Sequence, residues 1–340
     1  MEDLRPLEHR QYAHCESGVV TALLLRQGLD LSEPMVFGIT GGLTFAYIPL
    51  IRITNMPLIS YRMFPGSIIR GAVKNLGVQF KTKRYGDRRE ALEELTRLID
   101  GGRAVGLQTS VYWLPYFPPE MRFQFNAHNL IVYGKEGDEF LVSDPVFDHT
   151  VRIKAEDLQN ARFARGTLAP KGFIYYPTRI DSSVNLEAAI RKAIKRTVHM
   201  MLYAPVPFIG VKGIRCLARK IERLDPHTDS RSVRLFLGHI VRMQEEIGTG
   251  GGGFRFMYAA FLQEAGRLLG SSPLGEASRM MTEAGDLWRR FALACAKACK
   301  SKTADFDVVE IARLLRTCAA REQLVYSHLK SQYLSTSKTV

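Results

Sequence analysis

The sequence predicts an α+β domain followed by an all-helical domain. Three observations carry that expectation: a cysteine at the start of an apolar helix, two adjacent β-rich runs about a glycine turn, and helical periodicity throughout the last 160 or so residues. The chain has 340 residues, enough for two domains, with 46% hydrophobic and 24% charged residues. The expected division is 1–150 for the α+β domain, with a β-like tail to about 180, and 181–340 for the helical domain.

The first element runs from Cys15 through Val19, Leu23 and Leu24 to a stop at Gly28. A thiol at a helix N-terminus faces the positive end of the peptide dipoles, which favours thiolate. Ser32 then reads as an N-cap, with Pro34 in the first turn of a second helix. In 37–47, glycines alternate with β-formers. Gly38, Gly41 and Gly42 fit neither a phosphate loop nor a dinucleotide fingerprint, so Gly41 and Gly42 are expected to allow close backbone packing beside a substrate pocket. A short helix over 66–77, a strand over 78–81, a helix over 88–99 capped by Asp87, and a strand over 103–109 follow. The aromatic, proline-rich loop 112–119 reads as a pocket wall or lid, with Tyr112 and Trp113 as substrate-contacting residues.

Two β-rich runs, 126–134 and 139–145, flank a turn containing Gly137. Pairing them about Glu136 sets 133 opposite 139, 130 opposite 142 and His128 opposite Asp144. Partners on one face lie roughly 4.5–5.5 Å apart at Cβ, close enough for a carboxylate to orient an imidazole. Cysteine, then histidine, then a carboxylate on the next strand is the order of a nucleophile, its base and the group that fixes the base's tautomer. Gln11 and the Cys15 backbone N–H are the expected oxyanion donors. His14 competes as base but adjoins Cys15 in the chain, and the pair Asp148 and His149 would serve in a different register. The remaining histidines form no cluster.

Helices are expected over 186–202, 209–224, 232–247, 254–269, 278–300 and 306–333, and a frayed tail over 335–340. The run Gly250 to Gly253 enters one of them. It would either expose amides to a phosphate or carboxylate alongside Arg255 and Tyr258, or act as a hinge. The five cysteines are odd in number and follow no secretion signal, which argues against a disulfide framework. Cys295 and Cys299 stand at helical spacing without further ligands, so no metal is expected. No apolar run spans a bilayer and MEDLRPLEHRQ is no signal peptide, which makes the cytoplasm the default and a membrane role unexpected.

Charge is uneven. Residues 1–150 carry 16 Lys+Arg against 17 Asp+Glu, and 151–340 carry 31 against 17. The second half therefore suits an acidic partner, or is simply a solvated basic surface. Nucleic acid is disfavoured by the lack of dense basic runs or a recognisable binding motif.

The stretches around His14-Cys15, 37–47, 128–134 and 142–145 resemble the N-terminal domain family of butirosin biosynthesis protein H. The glycine run with 254–262 resembles the helical domain that often follows it. The resemblance implies a papain-like fold and a cysteine-dependent acyltransferase. An acyl group would pass from an acyl carrier protein or coenzyme A thioester to Cys15, and from there to an amine or hydroxyl of a small molecule in natural product biosynthesis. His128 would be the base and Asp144 its orienter, with no bound cofactor and phosphopantetheine carried by the donor. A basic helical domain could dock an acidic carrier protein or pair with a second copy of the chain. The same residues with water as acceptor would make a hydrolase (peptidase, amidase or thioesterase). A thiol far from His128 would instead mean a non-catalytic binding module.

Overall fold

The computed structural model describes residues 6–53, 55–180, 184–301, 303 and 306–335. In chain order the elements are α1 (Cys15–Arg26), α2 (Glu33–Ile39), β1 (Leu43–Ile53), β2 (Met56–Arg62), α3 (Ser67–Leu76), β3 (Val78–Lys83), α4 (Arg88–Asp100) and β4 (Val105–Thr109). Then come β5 (His128–Glu136), β6 (Glu139–Ser143), β7 (Val151–Lys154), α5 (Ala155–Arg162) and β8 (Ile174–Ile180). The last are α6 (Leu186–Tyr203), α7 (Gly210–Glu222), α8 (Pro226–Val241), α9 (Arg255–Leu268), α10 (Ser272–Lys300) and α11 (Val308–His328). The α+β and all-α characters are both as expected.

The division of the chain is not. One compact unit comprises 1–36 and 68–184, the other 37–67 and 185–340. The β1–β2 hairpin, absent from the sequence reading, belongs to the helical unit, and residues 151–180 are structural members of the first unit rather than a tail. The boundary expected near 181, like the tail beyond 335, falls outside the described residues.

In the first unit six strands form an antiparallel sheet in the order β3-β8-β4-β5-β6-β7. Strand β8 lies between β3 and β4, so the run expected as a β-like tail is an interior strand of the sheet. Helix α4 is capped by Asp87, whose carboxylate accepts the Glu90 N–H at 2.8 Å. It buries Ala91, Leu95, Leu98 and Ile99 in one cluster with Val105, Leu107, Leu130, Val132, Phe140 and Val142. Each such buried leucine contributes roughly 1.5–3 kcal/mol.

In the helical unit, Phe45 of β1 and Tyr61 of β2 pack with Trp288 of α10, ring centroids 5.4–5.8 Å apart. This explains the glycine run. Gly250 to Gly253 all have positive φ, and a Cβ on Gly253 would meet the Tyr61 ring at 2.3 Å. Its amides are engaged internally, Gly252 with Glu245 and Gly253 with the Gln244 carbonyl. The run is a tight left-handed turn, neither a hinge nor a phosphate cradle.

Candidate active site

Helix α1 begins at Cys15 because the residues before it supply its cap. His14 is in extended conformation and its Nδ1 accepts the Ser17 N–H at 3.3 Å, which disposes of His14 as the base. Below this turn lies Glu33, 8% exposed. Its carboxylate accepts the Ala13 N–H (2.8 Å), the His14 N–H (3.0 Å) and the Ser17 hydroxyl (2.7 Å). Burial pushes the Glu33 carboxyl up, and these donors offset that only in part. Cys15 is half-buried at the first position of the helix, under its dipole.

The β5–β6 register differs from the expected one. Near the turn Glu136 pairs with Glu139 and Gly134 with Leu141, but beyond a bulge at Tyr133, Val132 pairs with Val142 and Ile131 with Ser143. Continued by one residue, this sets Leu130, not His128, opposite Asp144. Without the bulge the same turn would place Asp144 opposite Ile131, on the other face of the sheet from His128. The extra residue restores the shared face, and His128 reaches Asp144 diagonally.

The contact is close: His128 Nε2 lies 2.7 Å from Asp144 Oδ2. Both side chains are buried. The Tyr116 hydroxyl donates to the same oxygen at 2.9 Å and the Val146 N–H to the other at 3.0 Å. Phe117 sets its ring edge-to-face against the imidazole, centroids 5.5 Å apart. Burial opposes a charge on His128. The Asp144 charge and hydrogen bond, with those of Cys15, outweigh it and raise the imidazole from 6.5 to about 10. The tyrosine is held well above its usual range by burial and by Asp144.

Also beside the thiol is Asn129, which residue type and spacing do not single out. Its Oδ1 accepts the Tyr175 hydroxyl at 2.8 Å, so its Nδ2 is the end directed at Ala127 O (3.0 Å) and Cys15 Sγ (3.9 Å). The Tyr175 ring in turn lies over Gly106, where a Cβ would sit 2.6 Å from it. The thiol thus has a charged imidazole and an oriented amide beside it, the elements of nucleophilic acyl chemistry.

Several expected residues do otherwise. Gln11 gives its amide to Val146 O at 2.9 Å, bracing the loop behind Asp144. Tyr112 and Trp113 stack on one another edge-to-face and are half exposed, while Tyr116 and Phe117 of the same loop make the contacts to Asp144 and His128. Gly41, at φ +70°, and Gly42 turn the chain from α2 into β1 within the helical unit, with the Met63 N–H bonded to Gly42 O. Arg255 is fully buried and ion-paired with Glu322 at 2.8 Å, and Tyr258 is a buried core residue beside Phe261. Neither is placed to take a ligand. Asp148 and His149 pair with one another on the surface. Among the described residues no cluster of three or more His, Cys, Asp or Glu forms a metal site, and no helix is long and apolar enough to cross a membrane.

Residues 14–145 match the family described as "Butirosin biosynthesis protein H, N-terminal", and residues 156–329 match "Domain of unknown function (DUF4872)". The chain thus belongs to the family of this second domain, which spans half of it, and carries a domain of the butirosin biosynthesis protein H N-terminal family before it. A crystal structure of a Bacillus anthracis protein described as C39-like peptidase aligns with 52% of this chain and 96% of its own, at 14% identity and a TM-score of 0.38. No curated protein matches.

Proposed function

We propose that the chain is a cysteine-dependent acyltransferase of papain-like mechanism. Its donor is a thioester on an acyl carrier protein or coenzyme A, and its acceptor is an amine or hydroxyl of a small molecule. The observation that carries the reading is the oriented set Cys15, His128 and Asp144, with Asn129 at the thiol. A domain of the family named for the biosynthesis of butirosin supports a role in natural product assembly. The basic second half supports an acidic donor protein.

Cys15 stands as a thiolate beside the His128 imidazolium, which carries its proton and which Asp144 holds in place. The thiolate adds to the thioester carbonyl, and the oxyanion is met by the Cys15 N–H and the Asn129 amide. Collapse breaks the old carbon–sulfur bond, His128 gives its proton to the departing pantetheine thiol, and acyl-Cys15 remains. The acceptor then attacks, giving its proton to His128, and Cys15 leaves as thiolate. Exchange of one thioester for another is close to balanced, so Cys15 is a sound relay.

Intact-mass spectrometry of wild type, Cys15→Ala and Asn129→Ala with a panel of acyl-carrier-protein thioesters tests this. Wild type should gain one acyl mass, Cys15→Ala none, and Asn129→Ala the same mass about 10²–10³-fold more slowly. Adding an amine should discharge the wild-type adduct onto the amine. No adduct at any quench time would overturn the relay, and discharge to water alone would make the protein a hydrolase.

A further inference from the structure

The helical unit contains a cavity of about 520 Å³ between the β1–β2 hairpin, α7 and α8. Its lining combines Tyr47, Pro49, Pro57 and Phe236 with Arg52, Arg219, Lys220 and Arg223. No acidic residue lines it. The volume lies within the usual range for small-molecule sites.

Their gathering at one cavity sets these cations apart from an ordinary solvated face. Cys216, Arg219 and Lys220 on α7 and its C-cap Arg223 fall at i, i+3, i+4 and i+7, so three positive charges are held close together and repel. Three helical arginines are ion-paired, Arg97 with Glu94, Arg313 with Glu310 and Arg316 with Glu222, whereas Arg70, Arg267, Arg279 and Arg290 have no ion pair among the described residues. Arg52, Arg219, Lys220 and Arg223 have no ion pair among the described residues. In the neighbouring cavity of about 490 Å³, which shares Arg219, the other cations are occupied: Arg215 by Gln323, Arg316 by Glu222 and Lys212 by the Ala204 carbonyl. The first cavity thus gathers four cations without such a partner among the described residues, the second only Arg219.

The cavity is also preformed. The Tyr47 N–H bonds to Phe208 O just before α7, and His239 Nε2 of α8 donates to Pro57 O at 3.1 Å. Gly213 lets α7 lie so close that a Cβ there would meet Phe208 O at 2.4 Å. One main-chain bond and one from the His239 side chain therefore tie the hairpin to the segment before α7 and to α8.

Four unpaired cations together with aromatic and proline side chains match a ligand with clustered negative charge and a flat apolar group. Arginine suits phosphate oxygens in particular, through two parallel N–H donors. We propose that this cavity binds an organic diphosphate carrying a flat apolar group, of the nucleoside diphosphate type. A concave site of this size fits such a molecule better than the convex face of a protein. The site makes no use of Cys15 and stands independently of the acyl chemistry.

Isothermal titration calorimetry of the full chain at 0.15 M salt, without divalent metal, would use ADP, AMP, inorganic pyrophosphate and a short oligonucleotide. The expected result is one ADP per chain, with AMP and pyrophosphate each at least 10-fold weaker. Arg219→Ala and Arg223→Ala, both exposed positions, should each weaken ADP at least 10-fold. Arg89→Ala, an equal loss of charge in an exposed pair of the first unit, should change nothing, and Cys15→Ala should bind as wild type. No binding of ADP would overturn the proposal. So would equal weakening by Arg89→Ala, or an oligonucleotide that binds as well as ADP at equal phosphate.

Discussion

The imidazole of His128 is the residue whose setting has the widest consequences. Its ordinary value of 6.5 is raised to about 10 in the fold. A group whose value rises on folding stabilises the folded state fully below its unfolded value, and that stability is lost as pH climbs through the folded one. The His128 contribution is therefore complete below about pH 6.5 and fades by about pH 10. Asp144→Asn removes the charge that holds it up, so the stability gap between wild type and variant should be widest near pH 6 and narrow towards pH 10. Urea unfolding at a series of pH values measures this, and a gap constant over pH 6–10 would contradict it. The same variant should lose about 10⁴ in kcat. At this scale the sequence was partly legible. Cys15, His128 and Asp144 announce themselves by residue type and by their places at a helix start, at the start of one strand and just past the end of the next. Asn129, Tyr175 and Tyr116 do not, because amides and phenols are common and only the sheet's geometry points them at the thiol and carboxylate.

At the scale of elements, the placing of the thiol depends on α2 as much as on α1. Glu33 ties down two backbone N–H groups and one hydroxyl in the turn that carries Cys15. Glu33→Ala leaves those buried donors without their acceptor, at a cost of about 2–4 kcal/mol in unfolding free energy. It should also slow alkylation of Cys15 by iodoacetamide, since the helix start loosens. Unchanged stability and thiol reactivity would show that the carboxylate does not organise the turn. Helix limits were readable where Asp87, Ser32 and Gly28 act through local hydrogen bonds and backbone conformation, but α8 starts at Pro226 and α10 at Ser272, not at the expected 232 and 278. The β5–β6 register was less so. A bulge is one extra residue, and nothing in the run around Tyr133 distinguishes it from a regular strand.

At the scale of the whole molecule, the helical unit is pinned by the Arg255–Glu322 pair, to which Trp288 and Tyr326 also donate. Glu322→Leu would strand a buried guanidinium and should cost about 3–5 kcal/mol, whereas the double variant with Arg255→Met should regain a large part of that. Chemical denaturation of the three proteins measures it, and additive losses would mean the two residues do not act as a pair. The grouping of 37–67 with residues 185–340 was illegible because periodicity reports which face of an element is buried, not which distant segment buries it. That interleaving bears on how the protein is made. On the ribosome the β1–β2 hairpin emerges more than a hundred residues before α6, and Phe45 and Tyr61 must wait for Trp288 of α10. Until then two aromatic strands have nothing to cover them, and a fragment ending near residue 184 would keep them bare permanently. Chaperone demand and truncation tolerance should therefore follow this hairpin rather than the thiol.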